Sequence, residues 1–172
     1  MKTTLTNPIN RWASLALAVF AFVSALAPIP VHAGGQVPFR LTWAADITIS
    51  PLAPPIVAVA GLGAGRATHL GALAAQSISE TVNLATGEGI AAYRFTAANG
   101  DDVLVTFVFV AIPSGPGTYD IQGIWQVTGG TGRFDGASGS GTYTGLVEFS
   151  GPVNAVGHFE AEGAISSPGS LK

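Results

Sequence analysis

Glu80 is the side chain of this sequence best suited to proton transfer. In the period-2 pattern of a strand, one face reads Gln76, Ile78, Glu80, Val82 and Leu84. We therefore expect an inward carboxylate among aliphatic neighbours. Burial raises the pKa of a carboxyl group and suits it to acid–base catalysis near neutral pH. The alternative is a one-residue bulge that turns Glu80 outward, or a position at the mouth of a barrel.

His69 is the second candidate for catalysis. It shares a face with Ala67, Gly71 and Leu73, so we predict that it also points inward. An imidazole there could act as an acid, as a base or as a donor to a ligand. If His69 and Glu80 face inward on adjacent antiparallel strands, they form a catalytic pair. The alternative for His69 is a structural role, bonded to the backbone.

His158, Glu160 and Glu162 offer imidazole and carboxylate groups at alternate positions of one strand. Such groups bind metals, but same-face neighbours on a strand lie about 7 Å apart. We therefore interpret them as a solvated outward face and predict no metal site. No cofactor is predicted either, and the lack of cysteine excludes a thiolate metal site.

The segment 128–142 holds six glycines in fifteen residues, which predicts a folded connection rather than a strand or helix. Arg133 within it could bind an anion with the help of backbone amides. We favour a structural role, in which Arg133 pairs with Asp135 or with loop carbonyls while Phe134 closes one end of a barrel. The pattern of a phosphate-binding loop is not present in the sequence.

The segments that must position these groups alternate apolar and polar residues with period 2. Short stretches of Gly, Pro, Asn and Asp separate one segment from the next. About eight strands joined by short turns predict an all-β, antiparallel fold. Closure into an eight-stranded antiparallel β-barrel would remove the sheet edges, and a β-sandwich is the alternative. The expected strands cover 39–50, 66–75, 76–84, 89–98, 103–112, 119–128, 142–149 and 153–165. The segments 66–75 and 76–84 are either a strand pair or one long bent strand.

Six aromatic side chains fall on the faces that we expect to point inward. We interpret them as core residues that line a cavity and contact a ligand there. They are Trp43, Tyr93, Phe107, Trp125, Tyr143 and Phe159.

Residues 1–33 have the features of a secretory signal peptide. Lys2 and Arg11 are followed by an apolar run over 12–26 and by the small-x-small pattern at 31–33. We expect cleavage after Ala33, a single domain over 34–172 with no membrane span, and a secreted or periplasmic location. A retained N-terminal anchor is the alternative.

The charge balance excludes some partners. Five basic and ten acidic residues follow Ala33, with no basic patch, which argues against nucleic acid and anionic lipid. Charged residues make up only 10% of the chain, far below the usual quarter. We therefore expect an apolar small molecule as ligand, a homo-oligomer (trimer or dimer), or both.

Three segments occur in an order that resembles small exported bacterial proteins of the allene oxide cyclase and dirigent-type barrel superfamily. They are Thr68–Gly71, Phe95–Asp101 and Gly129–Gly141, within about residues 65–150. The resemblance implies an eight-stranded antiparallel barrel with an apolar central cavity, commonly assembled as a trimer. Plant members guide cyclisation or radical coupling of small apolar molecules. No plant active-site motif aligns residue by residue, so no catalytic residue is carried over.

These observations support four functional hypotheses. The leading one is an exported barrel that binds a small hydrophobic molecule. The second is a cyclase or isomerase that uses Glu80 and His69. The third is a structural envelope or interaction protein with a filled interior, in which the strand 103–112, apolar on both faces, serves a subunit interface. The fourth is an outer-membrane barrel, since alternation alone does not say which face is inside.

Overall fold

The structure of the protein is a computed structural model that describes residues 35–166, so the predicted signal peptide lies outside the described residues. Eight β-strands and one short 3-10 helix, Gly132–Phe134, account for the regular structure in this range. The strands are β1 (Gln36–Pro51), β2 (Ile56–Ala67), β3 (Gly71–Asn83), β4 (Glu88–Ala97), β5 (Asp102–Gly115), β6 (Thr118–Gly130), β7 (Gly139–Phe149) and β8 (Asn154–Ser166).

The strands form a closed barrel in which each strand pairs antiparallel with the next along the chain. β8 returns to pair with β1, from Gln36 opposite Ser166 to Thr48 opposite Asn154. Closure gives every strand two hydrogen-bonded neighbours and so satisfies the backbone groups that an open sheet would leave at its edges. The predicted eight-stranded antiparallel barrel is confirmed, and the alternative of a β-sandwich is wrong. The predicted division into strands 66–75 and 76–84 is also wrong, because a turn at 68–70 separates β2 from β3 and residues 71–83 form one strand. Most of β2 lies before residue 66, where no strand was predicted.

The period-2 pattern of the sequence decides which side chains fill the interior. On β1, Leu41, Trp43 and Ile47 are buried, whereas Thr42 and Asp46 between them are exposed. The same alternation continues around the barrel, because paired residues share a face. A single core of aromatic and aliphatic side chains results. In this described range, no helix is long and apolar enough to cross a membrane.

Glycines on the inward face make room for the largest rings. Gly61, Gly63 and Gly65 of β2 form an inward column, and Gly65 pairs with Trp43 of β1. A Cβ added to Gly61 would lie 2.6 Å from the hydroxyl oxygen of Tyr93. Interiors are close-packed, so these rings fit only because the facing positions carry no side chain.

One end of the barrel is closed by Phe134, which is 0% exposed. The neighbouring Arg133 donates from Nε to Oδ2 of Asp101 over 2.8 Å. The predicted pairing of Arg133 with Asp135 is therefore wrong, because the β4–β5 turn at the same barrel end brings Asp101 closer. Hydrogen bonds from Arg133 and then from Asn99 lower the pKa of Asp101.

The other end carries a ring of partly exposed apolar side chains, which we call the rim. The rim residues lie at the ends of five strands and still face inward, and two of them, Tyr119 and Phe149, pack with ring centroids 5.7 Å apart. The barrel therefore has one plugged end and one apolar mouth. The rim consists of Ile49, Val59, Val82, Tyr119 and Phe149.

We predict that Gly145→Ala destabilises the barrel. Gly145 pairs with Phe159, and an added Cβ would overlap the Phe159 ring and approach the His158 carbonyl at 2.9 Å. Overpacking of this kind lowers the free energy of unfolding by about 1–3 kcal/mol. Urea denaturation monitored by circular dichroism measures the loss. Gly151→Ala is the matched control, because nothing lies within 4 Å of a Cβ there. Equal stabilities of the two variants would contradict the packing argument.

Candidate functional site

A β-bulge in β3 decides where Glu80 points. Ser77 pairs with Tyr93 of β4, but Ser79 pairs with the very next residue, Ala92, so Ile78 is the extra residue. The backbone N–H of Gly61 donates to Oγ of Ser77 over 2.7 Å beside this irregularity. A bulge re-aims the side chains that follow it. Inward positions are therefore odd-numbered before the bulge and even-numbered after it.

Glu80 faces the interior, but not with the companions expected from alternation. Gln76, Ile78 and Leu84 are exposed, with Ile78 at 53% and Leu84 at 64%. The prediction that they share the inward face of Glu80 is wrong: the bulge puts Gln76 and Ile78 out of phase with Glu80, and Leu84 lies beyond the end of β3 at Asn83. The alternative of a bulge that turns Glu80 outward is wrong, because this bulge turns Glu80 inward.

Tyr93 of β4 is the hydrogen-bond partner of Glu80. Its hydroxyl donates to Oε2 of Glu80 over 3.0 Å. Burial raises the pKa of Glu80 from 4.5 to about 7, although the hydrogen bond from Tyr93 opposes that rise. Burial and the nearby Glu80 raise the pKa of Tyr93 above its usual range. Near neutral pH, Glu80 can therefore exist in either protonation state.

A cavity of about 40 Å³ lies beside this pair. It sits just inside the rim, since Ile47, Glu80 and Val147 each come two residues before a rim residue on the same strand. A space of this size holds about one water molecule and is far below the usual volume of a ligand pocket. Its lining is Trp43, Ile47, Glu80, Ala91, Tyr93, Phe107, Phe109, Ile121, Tyr143, Val147 and Phe159.

Trp43 brings an unsatisfied donor to the cavity. Its Nε1 is buried and has no hydrogen-bond partner among residues 35–166. Its ring stacks on Phe159, with centroids 4.8 Å apart, and lies 5.6 Å from that of Phe107. Buried polar groups are nearly always hydrogen-bonded, so this N–H calls for an explanation. The sequence identified Trp43 as a lining residue, but the missing partner is visible only in the packed interior.

Tyr143 adds a second phenol to the cavity. Its ring packs edge-on against Phe107, with centroids 4.7 Å apart. Burial raises the pKa of Tyr143, and the negative charge of Glu80 raises it further. Glu80, Tyr93, Tyr143 and Trp43 are thus the four residues with polar side-chain groups among those that line the cavity. We call these four residues the polar centre.

Trp125 is the exception among the six aromatic residues predicted to contact a ligand. The other five line the cavity, but Trp125 does not. Its Nε1 donates to the backbone carbonyls of Thr142 and Glu162 over 3.1 and 3.2 Å, and its ring packs on Phe39. Trp125 therefore ties β6 to β7 and β8, and its expected place at the ligand cavity is wrong.

His69 does not reach the polar centre. It lies exposed in the turn between β2 and β3, with a φ of 70°, and its Nε2 is 3.3 Å from the carbonyl oxygen of Pro38. That turn is at the plugged end, whereas Glu80 lies near the rim. The predicted inward orientation and the His69–Glu80 pair are wrong. The apparent alternation through residue 69 crosses a turn, where strand periodicity does not apply.

The polar face of β8 remains outside the barrel. His158, Glu160 and Glu162 are exposed, and Oε1 of Glu162 lies 2.7 Å from a guanidinium nitrogen of Arg40. Within the described range, no group of three His, Asp or Glu residues could hold a metal. An open depression with a volume of about 630 Å³ lies on part of this outer surface. It is open to solvent, and it shares only Trp43 and Phe159 with the lining of the inner cavity.

No family model matches the chain, and no curated protein matches it. Among solved structures, the chain is similar to the pterocarpan synthase dirigent protein GePTS1 at 9% sequence identity. The match covers 82% of this chain and 91% of that chain, with a TM-score of 0.47. No residue takes a role from this likeness. The resemblance to allene oxide cyclases and to exported bacterial proteins stays a prediction.

We predict that Glu80 makes stability depend on pH. Its carboxyl group titrates near 4.5 when unfolded but near 7 when folded, so the folded state favours the protonated form. The free energy of unfolding therefore falls as pH rises from about 4.5 to about 7, by on the order of 3 kcal/mol. Urea denaturation at several pH values measures this loss.

Glu80→Gln should remove this component of the pH dependence, because the amide does not titrate. Glu160→Gln, at an exposed position on β8, serves as the control and should keep the slope of the unmodified protein. A Glu80→Gln profile parallel to that of the unmodified protein between pH 4.5 and 7 would show that the carboxyl group is not perturbed by folding.

Proposed function

We propose that this barrel binds a small neutral molecule with an apolar body and one hydrogen-bonding oxygen. The oxygen enters the cavity, and the body contacts the rim. One observation carries the proposal: the buried Trp43 N–H has no partner in the described part of the chain, and Trp43 lines a cavity together with Glu80 and two tyrosines. An unpartnered buried donor costs about 1–3 kcal/mol, and a ligand oxygen that accepts its hydrogen bond would remove that cost.

The polar centre favours a neutral ligand over an anion. Burial already disfavours the ionised form of Glu80, as its raised pKa indicates. A ligand carboxylate would add a second negative charge beside it, which is unfavourable at short range. A hydroxyl group can accept from Trp43 and can also bond to Glu80 in either protonation state, whereas a carbonyl oxygen can accept from Trp43 and from protonated Glu80. Phenols, alcohols and ketones are therefore the expected ligand classes.

The rim supports the apolar part of the proposal. Five partly exposed apolar side chains surround the mouth directly above the polar centre. The cavity of about 40 Å³ admits an oxygen-sized group but not a ring. The body of a larger ligand therefore rests on the rim or displaces a lining side chain such as Phe159, which is only partly buried.

Export is part of the same proposal. The predicted signal peptide would deliver the barrel to the periplasm or the medium as residues 34–172. N-terminal sequencing of the mature protein from those fractions should begin at Gly34. Recovery of the chain with its first residue intact would contradict cleavage.

A cyclase or isomerase is the second candidate function. Glu80, with a pKa of about 7, could move a proton, while Tyr93 and Trp43 could stabilise charge on a substrate oxygen. His69 has no part in this scheme because of its place in an exposed turn. Full turnover by Glu80→Gln on an identified substrate would contradict it. The nearly filled interior favours the third hypothesis, a structural or interaction protein, if no ligand binds.

We predict that 4-propylphenol binds and shifts the indole N–H resonance of Trp43 in the NMR spectrum of the processed protein. Trp125 is an internal control, because its N–H already donates to two carbonyls and lies outside the cavity. Saturable movement of the Trp43 signal, with the Trp125 signal unchanged, is the expected result. Trp43→Phe assigns the signal and should weaken binding about tenfold, measured by calorimetry.

Hexanoate tests the preference for a neutral group and should bind more weakly than the phenol above pH 7. Equal movement of both indole signals would indicate non-specific association. No movement of the Trp43 signal at saturating phenol would contradict the proposed site, as would tighter binding of hexanoate.

A further inference from the structure

The outer face of β4, β5 and β6 exposes an apolar row. Ile90 pairs with Val108, and Val108 pairs with Ile124, so three outward side chains stand side by side. They are 53%, 41% and 40% exposed. Large exposed aliphatic side chains in contact with one another are typical of interaction surfaces.

The residues around this row extend the uncharged face. Ala92, Thr106 and Gln126 form the next outward row, and Leu104 and Val110 lie above and below on β5. By contrast, the outward positions of β8 include His158 and Glu160. The barrel exterior is therefore two-sided, with ionisable groups on one side and an apolar sheet face on the other.

The charges at the edge of this face are self-complementary. Glu88 and Arg94 both point outward on β4, three residues on either side of Ala91. Glu88 is exposed, and the Arg94 side chain is 47% exposed with only a 3.8 Å contact to Asp102. Consider a two-fold axis that lies between two copies and runs across the strands, over Ala91 of β4. It would bring Glu88 of one copy to Arg94 of the other.

The same axis places apolar groups against one another. On β4 it brings Ile90 to Ala92 of the second copy. Because Ala91 pairs with Phe107 of β5, the same axis runs over Phe107. It therefore brings Val108 to Thr106 of the second copy. An isologous contact needs one self-complementary patch, and this face supplies both its apolar centre and its two ion pairs.

We infer that the protein forms a two-fold symmetric dimer through the outer face of β4, β5 and β6. Three strands about 4.8 Å apart and about ten residues long cover roughly 14 by 33 Å. That is about 460 Å² per copy, below the size of standard stable interfaces and in the range of weak ones, so the dimer dissociates on dilution. This inference concerns a different surface from the cavity and does not depend on ligand binding.

A charge-swap series tests the dimer by sedimentation velocity of the processed protein over a range of concentrations. Glu88→Arg places two arginines opposite each other at both ends of the contact and should raise the dimer dissociation constant about tenfold or more. Glu88→Arg combined with Arg94→Glu restores opposite charges across the axis and should recover most of that loss. Glu160→Arg on β8 is the control and should leave dimerisation unchanged.

Val108→Lys provides a second test at the centre of the apolar row and should give a monomer. Circular dichroism checks that each variant keeps the barrel, which is expected because all these side chains point outward. A monomer at every concentration of the unmodified protein would overturn the inference, as would a trimer mass. A double variant as weak as Glu88→Arg alone would also overturn it, because the two charges would then not face each other.

Discussion

The pairing of β8 with β1 is the constraint on which the rest of this structure depends. It joins Gln36–Thr48 to Asn154–Ser166 and closes the sheet around a single interior of fixed width. Every inward side chain must share that space. Large rings on some strands therefore require glycine on others, as Gly61 and Gly65 illustrate beside Tyr93 and Trp43. With no cysteine in the chain, packing and backbone hydrogen bonds hold this arrangement without disulfides.

The polar centre works against this packing. A buried carboxyl group, and an indole N–H that has no partner within residues 35–166, reduce the stability of an interior that is otherwise apolar. The β-bulge at Ile78 is what turns Glu80 into the barrel; regular alternation from the inward Ser77 would point Glu80 to solvent. The β-bulge and the buried polar groups thus lie at the same place, next to the apolar rim. Such a coincidence is typical of functional sites, where local rules are broken for a purpose.

The sequence predicted the barrel because period-2 alternation and short turns are local signals that survive in a folded chain. It also identified Glu80 and the aromatic residues that line the cavity. Prediction from the sequence failed where contacts between distant parts of the chain determine the position of a side chain. Alternation could not reveal the bulge before Glu80, and it ran through the turn that holds His69 outside. The contact of Arg133 with Asp101 joins two turns that only closure of the barrel brings together. The hydrogen bonds of Trp125 likewise depend on two other strands.

The buried Phe134 ring closes one end of the barrel, and the partly exposed rim surrounds the other. The interior therefore has a single opening. Solvent or a solute that enters must leave by the same route, since the opposite end is blocked. Entry and exit then share one barrier, set by how quickly Tyr119, Phe149 and their neighbours change rotamer. For the proposed ligand, the rate of release would then depend on the rim, and the affinity would depend on the groups beneath it.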